Sequence, residues 1–179
     1  MYLELYIIEG IFILAAYVAA VRLAELLLAE RNRRITFSLG GVEFGARHYP
    51  AFFFLHAFWF FCWVAESLFR GRLDHGWQFW LALFFLAQLL KLWSMVSLGE
   101  NWNTRIIVVP GRLPVRRGPY RFLRHPNYLA VIIELFAVPM VFGAWVTALS
   151  FSILNAALLF VVRMPIEEEA LAIFNEDIR

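Results

Sequence analysis

Charge is scarce in this 179-residue chain: Asp, Glu, Lys and Arg together make up only 17% of it. Soluble domains carry about 25% charged and about 45–50% apolar residues, whereas here 62% are hydrophobic and the mean hydropathy is +0.68. That excludes an ordinary soluble enzyme and a disordered protein. Cysteine is nearly absent. Cys62 alone permits neither an intrachain disulfide nor a cysteine-rich metal site, so a disulfide-stapled secreted domain is excluded too. A basic leader is also lacking, since the first residues carry Glu4 and Glu9 and the apolar stretch runs on to about Ala29. What the chain has is aromatic apolar surface: 19 Phe, 7 Trp and 6 Tyr, the last two types favouring membrane interfaces. The class is an integral membrane protein.

A bilayer core about 30 Å thick needs about 20 helical residues. Tyr6–Ala29, Tyr49–Phe69 and Trp77–Leu98 meet that length. The apolar region from Tyr128 to Val162 is too long for one span and has Pro139, Gly143 and Ala144 near its middle. It reads as a hairpin of two shorter helices, Tyr128–Phe142 and Trp145–Val162. The expectation is an all-α membrane domain of about five transmembrane helices spanning residues 1–179, with no internal repeat or linker. Arginines sort by side. Arg31, Arg33, Arg34 and Arg47 fall in one long connector, Arg105, Arg112, Arg116, Arg117, Arg121 and Arg124 in the other, and Arg163 and Arg179 in the tail. Only Arg70 and Arg72 lie in the opposite turn. The positive-inside rule then places both long connectors and the C-terminus in the cytosol and the N-terminus outside.

The connector after the third helix carries most of the chemistry. Arg105–Val109 is β-branched and predicts a short strand, Pro110-Gly111 a turn, and Asn127 the N-cap of the next helix. A connector of about 29 residues is long enough to be functional or disordered, and its Trp, Ile, Val and Tyr argue against disorder. Lipid headgroups would explain most of its arginines. They do not explain Arg124-His125-Pro126-Asn127-Tyr128 at the mouth of a helix, where free N–H groups and the dipole favour a carboxylate or phosphate. A second cluster, Arg163-Met-Pro-Ile-Glu167-Glu168-Glu169, ends the fifth helix. It reads equally as the solvated first turn of a tail helix starting at Pro165 or as carboxylates facing a cationic centre.

Ionisable groups inside spans are costly and point to pairing or function. Arg22 and Glu25 are spaced to pair on one helix face, and Lys91 and Glu66 to snorkel or pair. Glu134, with no evident local partner, is expected to face a cavity. The four histidines are too scattered for a metal site, and no glycine pattern follows a strand into a helix as a soluble cofactor fingerprint would.

Gly118-Pro119-Tyr120-x-x-x-Arg124-His125-Pro126-x-Tyr128, a helical hairpin, and then Arg163-x-x-x-Glu167-Glu168-x-x-Leu171 resemble the isoprenylcysteine carboxyl methyltransferase family over about residues 77–179. Asn101-Trp102-Asn103-Thr104-Arg105, running on to Gly111, is similar to a bacterial branch linked to O-methylation of alkylpyrones and related polyketide lipids. The resemblance implies an S-adenosylmethionine-dependent O-methyltransferase whose cofactor site lies within residues 99–179. Its acceptor is a carboxylate or acidic hydroxyl of a lipid-like molecule, of prenylated-cysteine or alkylpyrone type. Val115, Gly118, Tyr120, Arg124, His125, Pro126, Tyr128 and Glu134 are the implied cofactor-binding residues. Arg163, Glu167 and Glu168 are the implied catalytic residues, and Trp102, Asn103 and Arg105 the implied acceptor-binding ones. The sulfonium suits a glutamate and an aromatic face such as Tyr128. Membrane lipids are the other expected partners, with no metal and no nucleic acid, and the short chain suits a bacterial plasma membrane. Sterol-type membrane reductases have a similar Arg-His-Pro-x-Tyr segment and bind NADPH. A non-catalytic adaptor would leave both clusters without a role.

Overall fold

The computed structural model of the chain describes residues 2–176. It is mostly helical, with α1 (Tyr2–Ser38), α2 (Tyr49–Arg70), α3 (Trp77–Leu98), α4 (Pro126–Met140), α5 (Trp145–Ala157) and α6 (Met164–Glu176). Among the described residues four helical stretches are long and apolar enough to cross a membrane: Glu4–Ser38, Ala46–Arg70, Trp77–Asn101 and Trp145–Ile173. The fifth expected span, α4, has 15 residues, which is about 22 Å and short of the bilayer core. It is packed between α3 and α5, so its length need not match the bilayer.

Several boundaries differ from expectation, each for a local reason. Residues 30–38, read as connector, continue α1. Glu30 accepts hydrogen bonds from Arg33 and Arg34, and the Thr36 hydroxyl donates to the Asn32 carbonyl, so the polar end stays helical until Gly40 and Gly41. The N-cap of α4 is His125, not Asn127, because Pro126 takes the first helical position, where its fixed φ and missing N–H cost nothing. The tail helix does not begin at Pro165. α5 runs into α6 through one wide π-type stretch, Leu158–Arg163. This sits just before Pro165, whose missing N–H would break an α-helical ladder, and such π insertions recur at functional sites. Arg179, part of the charge bias, lies outside the described residues.

The expected strand is present as β2 (Ile106–Val108), but its partner was not foreseen. It pairs antiparallel with β1 (Val42–Phe44), Val42 opposite Val108 and Phe44 opposite Ile106. This ribbon joins the two long connectors, and α6 packs against it.

The apolar core gathers Ile11 and Val18 of α1, Trp59 and Trp63 of α2, Phe84 of α3, and Leu135 and Val138 of α4. Pro139 cannot donate to the Leu135 carbonyl four residues earlier. The Trp59 indole N–H donates to that carbonyl instead, at 2.9 Å.

Inside this apolar frame lies a closed ring of charge. Arg22 Nη1 donates to Glu25 at 2.9 Å, and Nη2 stands 3.1 Å from Glu134. Lys91 Nζ bridges Glu25 at 2.7 Å and Glu134 at 2.6 Å. Glu134 is 0% exposed and absent from the cavity lining, so it does not face the cavity as expected, although it does lack a local partner. Its partners come from α1 and α3, a tertiary fact that inspection of its own helix could not supply. Lys91 and Glu66 both pair, Lys91 within the ring and Glu66 with Arg70, Glu66 also accepting from Thr147 at the start of α5.

Removing one member of such a buried set leaves an uncompensated charge, which costs about 3–5 kcal/mol. Lys91→Met should therefore lower the thermal unfolding midpoint of the detergent-solubilised protein sharply. Lys91→Met combined with Glu134→Gln should recover part of that loss, and a double variant no better than the single would contradict the ring.

Candidate functional site

The N-terminus of α4 and the α5–α6 junction are 35 residues apart in sequence and meet in space. Arg163 Nε donates to the Tyr128 hydroxyl at 2.8 Å, and that hydroxyl in turn donates to Glu167. Arg163 Nη1 donates to the Thr104 carbonyl at 2.8 Å, tying the junction to the connector as well. Arg163 and Glu167 share a helix face because they are four residues apart. Tyr128 is held between them, with its ring parallel to that of His125 at 5.1 Å. Arg124 is 86% exposed on its side chain and touches Glu168 only at 3.6 Å, so most of its donors are uncommitted. Of the three adjacent acids, Glu167 turns inward, whereas Glu168 and Glu169 are exposed.

Tyr120 sits under this cluster in a short 3-10 turn, Gly118–Arg121. Burial pushes its phenol up to about 12, and the nearby Glu167 charge adds to the shift. It therefore stays an O–H donor at neutral pH. Pro126 is buried at the first position of α4, and Val115 is half-buried in the connector.

Below the Tyr128–Arg163 contact opens a cavity of about 370 Å³ between α1, α2, α4 and α5. At its mouth Trp102, Asn103, Thr104 and Asn127 are polar or amphipathic. Deeper in, its wall combines the aromatic rings of Phe52, Trp59 and Phe60 with the polar side chains of Arg22, Glu25, His56, Lys91 and Asn155. Tyr128 and Arg163 thus form a partition, with the Arg124–His125 and Glu167–Glu168 side chains on one side and the cavity on the other.

The three expected acceptor-binding residues divide. Trp102 and Asn103 line the cavity, Trp102 Nε1 donating to Asn127 at 3.4 Å and Asn103 Nδ2 to the Ala29 carbonyl at 3.1 Å. Arg105 does not line it. Its guanidinium pairs with Glu43 of β1 at 2.6 Å and lies 4.0 Å over the Tyr49 ring, bracing the ribbon. Glu134, proposed from sequence as a cofactor ligand, sits in the charge ring and is absent from the cavity lining. Sequence reasoning missed Arg22, His56, Thr104 and Asn155 as wall residues. Polar side chains in apolar spans were the available signal, but which of them share a cavity depends on helix packing.

A helical membrane protein with a two-sided interfacial site of this kind defines the broad class. The chain belongs to the isoprenylcysteine carboxyl methyltransferase family, whose sequence pattern matches residues 80–173. That family places it among membrane methyltransferases. Relatives extend over nearly the whole chain. "Uncharacterized protein YpbQ" of Bacillus subtilis is 38% identical over 89% of this chain and 95% of its own length. An "Uncharacterized protein" of Haemophilus influenzae is 26% identical over 88% and 92%. No solved structure matches.

Gly118, another implied cofactor residue, has a second reason to be glycine. Its φ is +57°, and a Cβ there would lie 1.9 Å from Ser97 Oγ and 3.1 Å from Trp93 Nε1 on α3. Arg117 Nε reinforces this docking by donating to the Ser97 carbonyl at 2.8 Å. Left-handed strain and overpacking together should make Gly118→Ala cost about 2–4 kcal/mol of stability. Adding Ser97→Ala, which removes the nearest atom, should restore part of it. A melting temperature unchanged by Gly118→Ala would show that this close approach is not required.

Proposed function

We propose that the protein is an S-adenosylmethionine-dependent O-methyltransferase that acts at the cytosolic membrane interface on a carboxylate or acidic hydroxyl of a lipid-like acceptor. The observation that carries this reading is the meeting of the Arg124–Tyr128 and Arg163–Glu168 segments around one hydroxyl, that of Tyr128. The donor set fits the cofactor's chemistry. Arg124 and His125 offer cationic and N–H contacts to a carboxylate at a helix N-terminus that has no side-chain cap. Glu167, Glu168 and the Tyr128 ring face offer the complement of a cation. S-adenosylmethionine, when bound, supplies an electrophilic methyl group. Arg163 holds Tyr128, and Tyr128 in turn holds Glu167, which keeps the cation-facing wall preorganised.

The acceptor's apolar body lies in the cavity, and Trp102, Asn103 and Thr104 position its reacting oxygen beside the Tyr128–Arg163 partition. An acceptor carboxylate is already ionised and needs no base. An acidic hydroxyl passes its proton to His125 or Glu167. Residues 99–179 carry the cofactor side, and the whole chain acts as one domain in a bacterial plasma membrane with its N-terminus outside. Acceptors of prenylated-cysteine or alkylpyrone type meet these requirements.

Titration calorimetry on detergent-purified protein tests the assignment. S-adenosylmethionine should bind and NADPH should not. Arg124→Ala and His125→Ala should each weaken binding by roughly 1.5–3 kcal/mol, about ten- to more than a hundredfold, the usual range for hydrogen bonds to a charged group. Arg116→Ala should leave it unchanged. Equal losses for all three variants would favour headgroup contacts, and binding of NADPH alone would favour a reductase.

A further inference from the structure

Two polar side chains on the far wall of the cavity have unmet hydrogen-bonding capacity. Asn155 of α5 is 0% exposed, and neither its Oδ1 nor its Nδ2 has a hydrogen-bond partner among the described residues. Arg22 Nε is likewise buried without a partner, although the head group is ion-paired. Both residues line the cavity. His56, which also lines the cavity, donates from Nδ1 to the Phe52 carbonyl at 2.8 Å, so its Nε2 is not engaged by that carbonyl. An unpaired amide at membrane depth is expensive, and intramembrane polar groups of this kind mark ligand sites by default.

The position of Asn155 gives the geometry of a guest. Asn155, Leu159 and Arg163 line the cavity at four-residue intervals along one helix face. Asn155 is therefore on the order of 12 Å deeper than Arg163 along the helix. Between the two levels the wall includes Phe52 of α2 and Leu159, and Trp59 and Phe60 follow about one helical turn beyond His56 on α2. The charge ring, three of whose members also line the cavity, balances two cations against two carboxylates, so it offers no net charge for an ionic group to meet.

We propose that the part of the cavity wall at Asn155 is a subsite for an uncharged oxygen function, a hydroxyl or ketone, carried on the apolar body of the acceptor roughly 12 Å from its reacting oxygen, with Asn155 as the residue that recognises it. The acceptor is then an oxygenated lipid and not a plain hydrocarbon chain. This refines the methyltransferase reading and rests on it only for the identity of the guest as acceptor.

Binding measured without any methyl donor separates the two ideas. The probes are stearate and a hydroxystearate with its hydroxyl near mid-chain, added as radiolabelled fatty acids to protein in nanodiscs. Wild-type protein should bind the hydroxystearate about tenfold more tightly, the upper range for one net neutral hydrogen bond. Asn155→Leu, close in volume, should abolish that preference while leaving stearate binding equal or tighter, with no drop in melting temperature. Asn155→Ser should keep part of the preference, which preserves the test if the leucine variant fails to fold. Equal binding of the two probes by wild-type protein would overturn the subsite. So would a loss of affinity for both probes alike in Asn155→Leu and Asn155→Ser, since that is what an amide serving only through a bridging water in the fold would give. A preference for hydroxystearate in a protein that transfers no methyl group would leave the subsite standing and remove the methyltransferase reading. Methylation of both probes at equal kcat/KM, with equal binding, would do the reverse.

Discussion

Two positive and two negative side chains in the middle of an apolar bundle set the terms for everything around them. Each charge of the Arg22, Glu25, Lys91 and Glu134 ring is tolerable there only while the others are in reach. Because the four come from α1, α3 and α4, the ring fixes the rotation and height of three helices relative to one another. Apolar contacts alone are weak at doing this within lipid, where the tails are as apolar as the side chains. The Ile11–Trp63–Val138 core is held by non-directional contacts, which set register less sharply than ion pairs at fixed distances do.

That registration builds the site indirectly. With α4 held against α1 and α3, its N-terminus sits at one height, and His125 and Tyr128 come with it. The α5–α6 junction then reaches the same height from the other side through Arg163. The cavity is the space left between these fixed points, with three members of the charge ring in its wall and the Tyr128–Arg163 contact at its mouth. Each of these two polar levels is a place where helices are tied together, and a guest that passes both meets polar groups at two depths.

Much of this could be read from the chain alone. The span α3 is bounded by Trp77 and Leu98 as the hydropathy predicts, and the hairpin turns at Gly143, whose φ of +66° needs glycine. The pairing of Arg22 with Glu25 follows from a three-residue spacing. Local pattern fails where the partner is remote. Glu134 looks orphaned on its own helix because Lys91 is 43 residues away, and Arg105 looks free because Glu43 is 62 residues away. The β1 strand is invisible for the same reason, since three residues acquire a strand's identity only from the chain they pair with. Hydrophobic period encodes what a helix buries, but not which neighbour it buries it against.

The two prolines within the last helices show how backbone gaps are turned to use. Pro139 frees the Leu135 carbonyl deep in α4, and Trp59 closes that gap while presenting its ring to the cavity. Pro165 would interrupt the ladder at the α5–α6 junction, and the π-type stretch before it absorbs the missing donor. In a straight α-helix with both donors present, Trp59 would have no reason to anchor on α4 and the helix carrying Arg163 and Glu167 would keep α-helical phase with Asn155. The wider turn re-aims the junction, so that the face which lines the cavity at Asn155 and Leu159 meets Tyr128 at Arg163. Where water cannot satisfy a broken backbone bond, the compensating group must come from the protein, and here both compensations lie on the walls of the cavity or at its mouth. The site is assembled where the helices are least regular, and the buried ions keep those irregular segments in register.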